Sequence, residues 1–463
     1  MAYHYNFLRH YQTSIDIKKL LQKKMVAVNP YLEVSQPESD YKINDYLIKR
    51  LSVWASVKSL LTVSLFTLLY LIFIFNLRPE EKNKKYNLVF SLTYDQVLAT
   101  RSLNSLHDFF NSARFPINLD TEFWIEMKKL TYRRKFKNFQ TTIDIPFKIY
   151  CNLFGFTRKF KVFTKIVKRY FNSVCLLSHN KNAYLILKEY IIDEIIYNEL
   201  NSQRIENLIT TQSHLMYQPI IFQKKNSGLK KIMIWYSANS MPIPYTDPEI
   251  PRIALKPEIF RGLNIEEHWV WTSEHAEFLN KVSGQRVLTK GSMMFYNASF
   301  DKLVEKRIDV LVFDVTPVKD FAQNNIYNEA EVTKFLLDIV DAASKISRDT
   351  KIKLKICIKP KRKIHNIHST AYLRLLEDLK SSGLIDVLSP NENLYDLINS
   401  ARVVIGYPFT SPVWIGLELD VPSIFYSSSN LIQKNPKPIN HNLIQNQNEL
   451  EIFIRKNVLP SSG

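Results

Sequence analysis

Two hydroxyls held between prolines are the residues of this chain whose chemistry most clearly asks for a ligand. Thr410 and Ser411 lie in the run Gly406-Tyr407-Pro408-Phe409-Thr410-Ser411-Pro412. Pro408 and Pro412 restrict the backbone on both sides, and Pro412 suits the first turn of a helix. Ser411 is then the expected N-cap. Two hydroxyls, the free backbone N–H groups of a helix start and its dipole converge on one spot, which favours a phosphate. Plain capping without a ligand is the competing use of the same residues. A second set is cationic: the strand-like run 352–358 ends directly in Lys359-Pro360-Lys361-Arg362-Lys363. These cations can face the same anion or form a solvated loop. Asp314 and Thr316 close another apolar run, 308–315, as ligand contacts or loop caps. The carboxylates placed for general-base work are Asp247 and Glu249, in a loop stiffened by Pro242, Pro244, Pro248 and Pro251. His365 and His368 follow the basic run and are read as non-catalytic. No DxD-like pair stands at a strand end, so no metal is expected.

The elements that must position these groups are clearest after residue 305. Strands are expected at 308–315, 352–358, 384–388, 402–407 and 422–426, and helices at 329–346, 370–382, 393–401 and 411–419. Apolar strands alternating with amphipathic helices over short connections imply a parallel sheet covered on both faces. Thr410, Ser411, Lys359, Asp314 and Thr316 then share the C-terminal edge, where open α/β sheets bind ligands. A looser set precedes it, with strands expected at 87–92, 173–178, 230–237, 268–273 and 286–291 and a helix near 183–200. Two such units in tandem place a cleft between them, and the Asp247 loop follows a strand of the first.

Composition limits the partners. Lys and Arg number 62 against 44 Asp and Glu, a formal net charge of +18. Such a balance argues for anionic partners, not for a fold. Residues 127–170 concentrate it, with 13 Lys/Arg against one acid, Asp144, interleaved with Phe and Tyr. Nucleic acid or an anionic membrane surface can be met that way. No recognised nucleic-acid module accompanies the pattern, so no nucleic-acid partner is expected. Cys151, Cys175 and Cys357 are too few and too far apart for a disulfide framework or zinc site, and Cys175 and Cys357, in apolar strand-like runs, are read as core thiols. Residues 59–75 carry no charge. That length can span a bilayer, lie on it, or pack as a buried hairpin.

The segments GYPFTSP, VFDVTP and VPSIFY resemble the bacterial polysaccharide biosynthesis family named for its PFTS motif. MIWYSANSMPIPY, HWVWTSEHAEFL and KGSMMFY are similar to that family's middle section, so the likeness runs over roughly residues 85–430. The resemblance implies a GT-B-like α/β fold: two Rossmann-type parallel-sheet domains facing a cleft, here behind an N-terminal apolar helix. It divides the chain into an extension (1–56), a membrane or membrane-associated helix (57–77), an acceptor domain (78–305) and a nucleotide-sugar domain (306–463). It implies a metal-independent glycosyltransferase with a nucleotide-sugar donor and a lipid-linked or growing glycan acceptor. The implied setting is the bacterial inner membrane, with the domains in the cytoplasm and capsule or O-antigen as product. The layout is also similar to Kdo, sialic-acid-type and CDP-glycerol transferases, which suggests a CMP-activated sugar acid. Lys359-Pro360 stands where those carry His-Pro. Lys359, Lys361, Arg362, Pro408, Thr410, Ser411, Asp314 and Thr316 are then expected to hold the donor, with Asp247 or Glu249 as base. A non-catalytic glycan- or nucleotide-binding assembly factor, or a nucleic-acid-binding protein, are the alternatives.

Overall fold

The computed structural model describes residues 45–75, 85–92, 109–110, 121–127, 139–142, 145–151, 156–179, 189–199, 205–210, 220–223, 229–235, 244–247, 265–292, 305–317, 328–361, 368–390, 392–429, 431–433 and 442–459. Glu249, Arg362, Lys363 and His365 lie outside these residues.

The first unit is a seven-stranded sheet with order β3-β2-β1-β4-β5-β6-β7. Its strands are β1 (Lys85–Leu92), β2 (Thr121–Met127), β3 (Phe139–Thr142), β4 (Ile205–Thr210), β5 (Lys230–Ile234), β6 (Glu267–Val270) and β7 (Arg286–Thr289). Every pairing is parallel. Helices α1 (Asp45–Ile72), α2 (Ile145–Cys151), α3 (Phe156–His179), α4 (Glu194–Glu199) and α5 (Ser273–Ser283) accompany it. Strand alternation decides which layer each residue joins. Leu88 and Leu208 pack with Val63 and Tyr70 of α1, Val162 and Ile166 of α3 and Ile195 of α4. Their neighbours Val89 and Ile209 enter the opposite layer.

The second unit is a six-stranded parallel sheet, order β10-β9-β8-β11-β12-β13. It contains β8 (Ile308–Phe313), α6 (Glu329–Thr350), β9 (Ile356–Lys359), α7 (Thr370–Ser381), β10 (Asp386–Val387), α8 (Leu394–Asn399), β11 (Ala401–Gly406), α9 (Ser411–Glu418), β12 (Ser423–Tyr426), β13 (Leu443–Ile444) and α10 (Gln447–Val458). α6 shows why these segments are helices. Asn328 caps it by accepting from the Glu331 N–H at 2.9 Å. Val332, Phe335, Leu336, Ile339, Val340, Ala343 and Ile346 then recur on one buried face.

Among the described residues, hydrogen bonds at two places join the units, whose buried side chains also share one apolar cluster. Tyr245 and Ile432 form an antiparallel bridge, backed by Thr246 N–H on Leu431 O (2.9 Å) and Gln433 N–H on Pro244 O (2.8 Å). Farther along, the Ser292 and Tyr395 hydroxyls are bonded, and Ser292 N–H reaches Glu418 Oε2 at 3.4 Å.

Three sequence expectations change. Residues 173–178 belong to helix α3, not to a strand. Strands β2, β3 and β4 occupy segments where none was expected. For the uncharged segment, which lies within α1 and the 3₁₀ turn Phe73–Phe75, spanning is not supported. Among the described residues no helix is long and apolar enough to cross a membrane.

The first unit also holds two buried histidines with a pH consequence. Trp235 donates its indole N–H to His268 Nδ1 at 3.2 Å, so His268 is the Nε2–H tautomer with Gln285 Oε1 accepting. Burial pulls His268 down to about 4. Burial, with His268 nearby, pulls His275 down to about 3. As pH falls, the unfolded chain therefore takes up these protons first. The stability they contribute is complete above their unfolded value of 6.5 and is lost on descent towards pH 4. Each should cost about 2 kcal/mol at pH 5, read as a lower urea midpoint than at pH 7.5. A midpoint unchanged between the two would contradict the buried neutral state.

Candidate functional site

The strand order of the second sheet reverses between β8 and β11: the chain runs outward through β9 and β10, then returns to the other side of β8. Such a switch point opens a crevice at the C-terminal strand ends. The two loops that flank it are Asp314–Pro317 after β8 and Tyr407–Thr410 after β11. Each contains a non-glycine residue in the left-handed region, Thr316 with φ 46° and Phe409 with φ 61°. For a β-branched or bulky residue this conformation is strained, and such strain persists only where the surroundings impose it.

The Asp314 side is a tied floor. Asp314 is buried, and its carboxylate accepts from Lys361 N–H at 2.9 Å, from Thr316 Oγ1 at 3.2 Å and from the Tyr372 hydroxyl. One side chain thus joins the ends of β8 and β9 to α7. Burial pushes the Asp314 carboxyl up, against the pull of Tyr372, Lys361 and Thr316. Burial and Asp314 together push the Tyr372 phenol up, so Tyr372 keeps its proton and donates. Ser369 caps α7, accepting from Tyr372 N–H at 3.2 Å, while its own N–H bonds Pro317 O at 2.9 Å. Lys359 is buried and its ammonium donates to Pro390 O at 2.8 Å, on the β10 side. Lys361 is exposed at the edge.

The other side answers why a glycine and two prolines frame the hydroxyls. A Cβ on Gly406 would collide with Val413 Cγ2 and lie 3.0 Å from Thr410 Oγ1. Only glycine lets α9 start this close to its strand. The N-cap of α9 is Thr410, one residue earlier than expected, with Ser411 and Pro412 already in the first turn. Phe409 in the left-handed region makes the turn, which leaves Thr410 as the last extended residue. The Thr410 hydroxyl makes no cap bond: it donates to Tyr407 O at 2.7 Å.

Two polar atoms on this helix and the neighbouring strand's exit are buried without a hydrogen-bond partner: Trp414 Nε1 on α9 and Ser428 Oγ two residues past β12. Buried polar groups are nearly always satisfied, and an exception calls for an explanation such as a ligand. On the first sheet, where the order reverses between β1 and β4, Thr210 Oγ1 at the end of β4 is likewise buried without a partner. None of these three was singled out in the sequence. The strand-end rule alone points to Ser428, since it follows the apolar strand next to β11. Asp247 is exposed and follows the Tyr245–Ile432 bridge, where the first unit meets the second. Pro408, Thr410 and Thr316 are buried at the switch point, and Ser411 is half-buried. The structure thus gathers Asp314, Thr316, Pro408, Thr410 and Ser411 at one crevice and turns the Lys359 ammonium away from it. Among the described residues no group of three or more His, Cys, Asp or Glu is placed to hold a metal ion.

Comparison with known proteins bears on this geometry. The family described as polysaccharide biosynthesis PFTS motif protein matches residues 167–454, well over half the chain. Among curated proteins none matches. Among solved structures, the wall teichoic acid polymerase TagF is 10% identical, with 90% of this chain and 93% of that one covered at a TM-score of 0.39. The E. coli structure described as trehalose-6-phosphate bound with UDP-2-fluoro glucose is 10% identical, covering 81% and 92% at 0.42. The UDP-GlcNAc 2-epimerase from Methanocaldococcus jannaschii is 11% identical, covering 82% and 94% at 0.38. At such identities and scores no residue role transfers to this chain.

Proposed function

The chain belongs to the polysaccharide biosynthesis PFTS motif family, and from that premise we propose that it is a GT-B-like, metal-independent glycosyltransferase of bacterial surface polysaccharide synthesis. The observation that carries the reading is the α9 start: a helix N-terminus at a topological switch point whose N-cap side chain, Thr410, makes no cap bond, with Trp414 Nε1 on the same helix and Ser428 Oγ two residues past β12 buried and unsatisfied. Backbone N–H groups and a dipole in that position suit the phosphate of a nucleotide-sugar donor. Negative charge grows on that phosphate as its bond to the anomeric carbon breaks, and fixed dipoles stabilise it without reorganising. The acceptor hydroxyl oxygen forms the new bond, and its proton passes to a carboxylate of the Asp247–Glu249 loop. A lipid-linked or growing glycan enters from the first unit, on the cytoplasmic side of the inner membrane. For the donor we favour a CMP-activated sugar acid, whose second negative charge suits Lys361 and Arg362.

Thermal unfolding with CMP, UDP and GDP tests this. A nucleotide at 100 times its Kd should add about 2.7 kcal/mol, with CMP at least tenfold tighter than the others. Tighter UDP or GDP would overturn the sugar-acid donor and leave the transferase. Failure of all three, with no turnover of any nucleotide sugar, would overturn the transferase itself.

A further inference from the structure

Helices α1 and α3 pack side by side and antiparallel. Near one end Ser64 Oγ and the Tyr170 hydroxyl are bonded at 2.7 Å. Near the other, Phe75 stacks on Phe156 with ring centroids 5.5 Å apart. Each helix buries one stripe: Val63, Tyr70 and Ile74 from the first segment, Lys159, Val162 and Ile166 from α3. Lys159 is held there by Cys151 O at 3.2 Å. The opposite stripe of α1 is the anomaly. Val57, Leu61, Leu65, Leu68, Ile72 and Phe75 follow one another at spacings of three and four and are all exposed, Leu61 at 65% and Phe75 at 74%. A helix face turned to water is normally polar, and contiguous exposed apolar surface marks an interaction site.

The neighbouring surface of α3 specifies the partner. Phe156 and Phe160 stack on each other with centroids 5.9 Å apart and, with Phe171, are exposed. They extend the apolar surface from α1. Next around α3, Arg158, Lys161, Lys165 and Lys168 form an exposed cationic stripe, again at spacings of three and four. Aliphatic side chains, then aromatics, then a row of cations is the gradient that a helix lying in a bilayer interface requires. Aromatic rings suit the headgroup level, and long cationic side chains reach phosphates.

We propose that this α1–α3 face is an in-plane docking surface for an anionic phospholipid bilayer, with α1 lying against the membrane, not crossing it. The charge complementarity of the α3 stripe selects lipid over a second copy of this chain, which would set like charges together. The surface is separate from the crevice at α9, so docking can be measured without transfer activity.

The test is co-sedimentation of the purified full-length chain with vesicles of phosphatidylcholine alone or mixed with phosphatidylglycerol. The parent should pellet with the anionic vesicles, less so at high salt, and weakly with the neutral ones. Lys161→Gln with Lys165→Gln should lower partitioning onto anionic vesicles roughly 25-fold and leave neutral vesicles unaffected. Leu65→Gln with Leu68→Gln should lower both. These positions face water, so circular dichroism and the urea midpoint should stay at parental values. Three outcomes overturn the proposal. One is no vesicle binding by the parent, including the case where the parent is a dimer that Leu65→Gln with Leu68→Gln dissociates. Another is parental binding by both double variants. The third is resistance of the vesicle-bound chain to alkaline carbonate extraction, which would mean that α1 inserts across the bilayer.

Discussion

Replacing Gly416 with Ala should cost about 3 kcal/mol of stability, with a matching fall in nucleotide binding. A Cβ there would overlap Ser423 Oγ and lie 2.9 Å from Ser423 Cβ, with Val404 Cβ at 3.7 Å. The second contact is to a carbon one bond from the backbone, so it cannot swing aside. The first is to a hydroxyl already donating to Val421 O at 2.7 Å, which turning away would break. Relief must therefore come from lifting α9 off β11 and β12, which also carries its N-terminus away from the switch point. The pair Gly416→Ala with Ser423→Gly removes both contacts and should recover most of the loss. Urea midpoints of the four proteins in that double-mutant cycle measure the coupling. A single variant within 0.5 kcal/mol of the parent, roughly the scatter of neutral surface changes, would show that the close approach is not needed.

Ser411→Asp should separate capping from ligand binding, because the two roles predict opposite signs. Ser411 is half-buried in the first turn of α9. A carboxylate there meets the positive end of the helix dipole and should stabilise the fold by about 0.3–1 kcal/mol. The same carboxylate occupies the place proposed for the donor phosphate, and like charges at close range cost several kcal/mol. Transfer should fall about 1000-fold while the urea midpoint rises or holds. If activity survives within tenfold, the α9 start is a plain helix end and the donor binds elsewhere.

The second sheet was legible because its strands are largely buried and read as apolar runs interrupted only at their second residue, by Asp309 in Ile308–Phe313 and Arg402 in Ala401–Gly406. The first sheet hides polar residues inside its strands. Glu122 in β2 accepts from Trp124 Nε1 at 3.1 Å. Asn207 in β4 donates to Asn87 of β1 at 2.6 Å, and Glu206 accepts from Thr121 at 2.9 Å. Each is satisfied by a partner on the same or a nearby strand, as a buried or half-buried polar group must be, but the pairing is invisible until the strands are assembled. Residues 173–178 failed for another reason. A short apolar run in a strand and one in a packed helix look alike by periodicity. At the site, the strand-end logic located the loops. It could not tell which way a side chain turns there, hence the buried Lys359 bonded to Pro390 O and the shift of the cap from Ser411 to Thr410.

All eleven strand pairings among the described residues are parallel. Parallel neighbours need a long crossover, so no tight hairpin can nucleate either sheet and each pairing must first close a long loop. Folding of this chain is accordingly slow, and on the ribosome it is ordered by synthesis, since domains form as units from the N-terminus. The last strand of the first sheet ends at Thr289, and the second sheet begins only at Ile308. The residues of the face that carries Leu61 and Lys161 have therefore left the ribosome before the loop that carries Thr410 has been made.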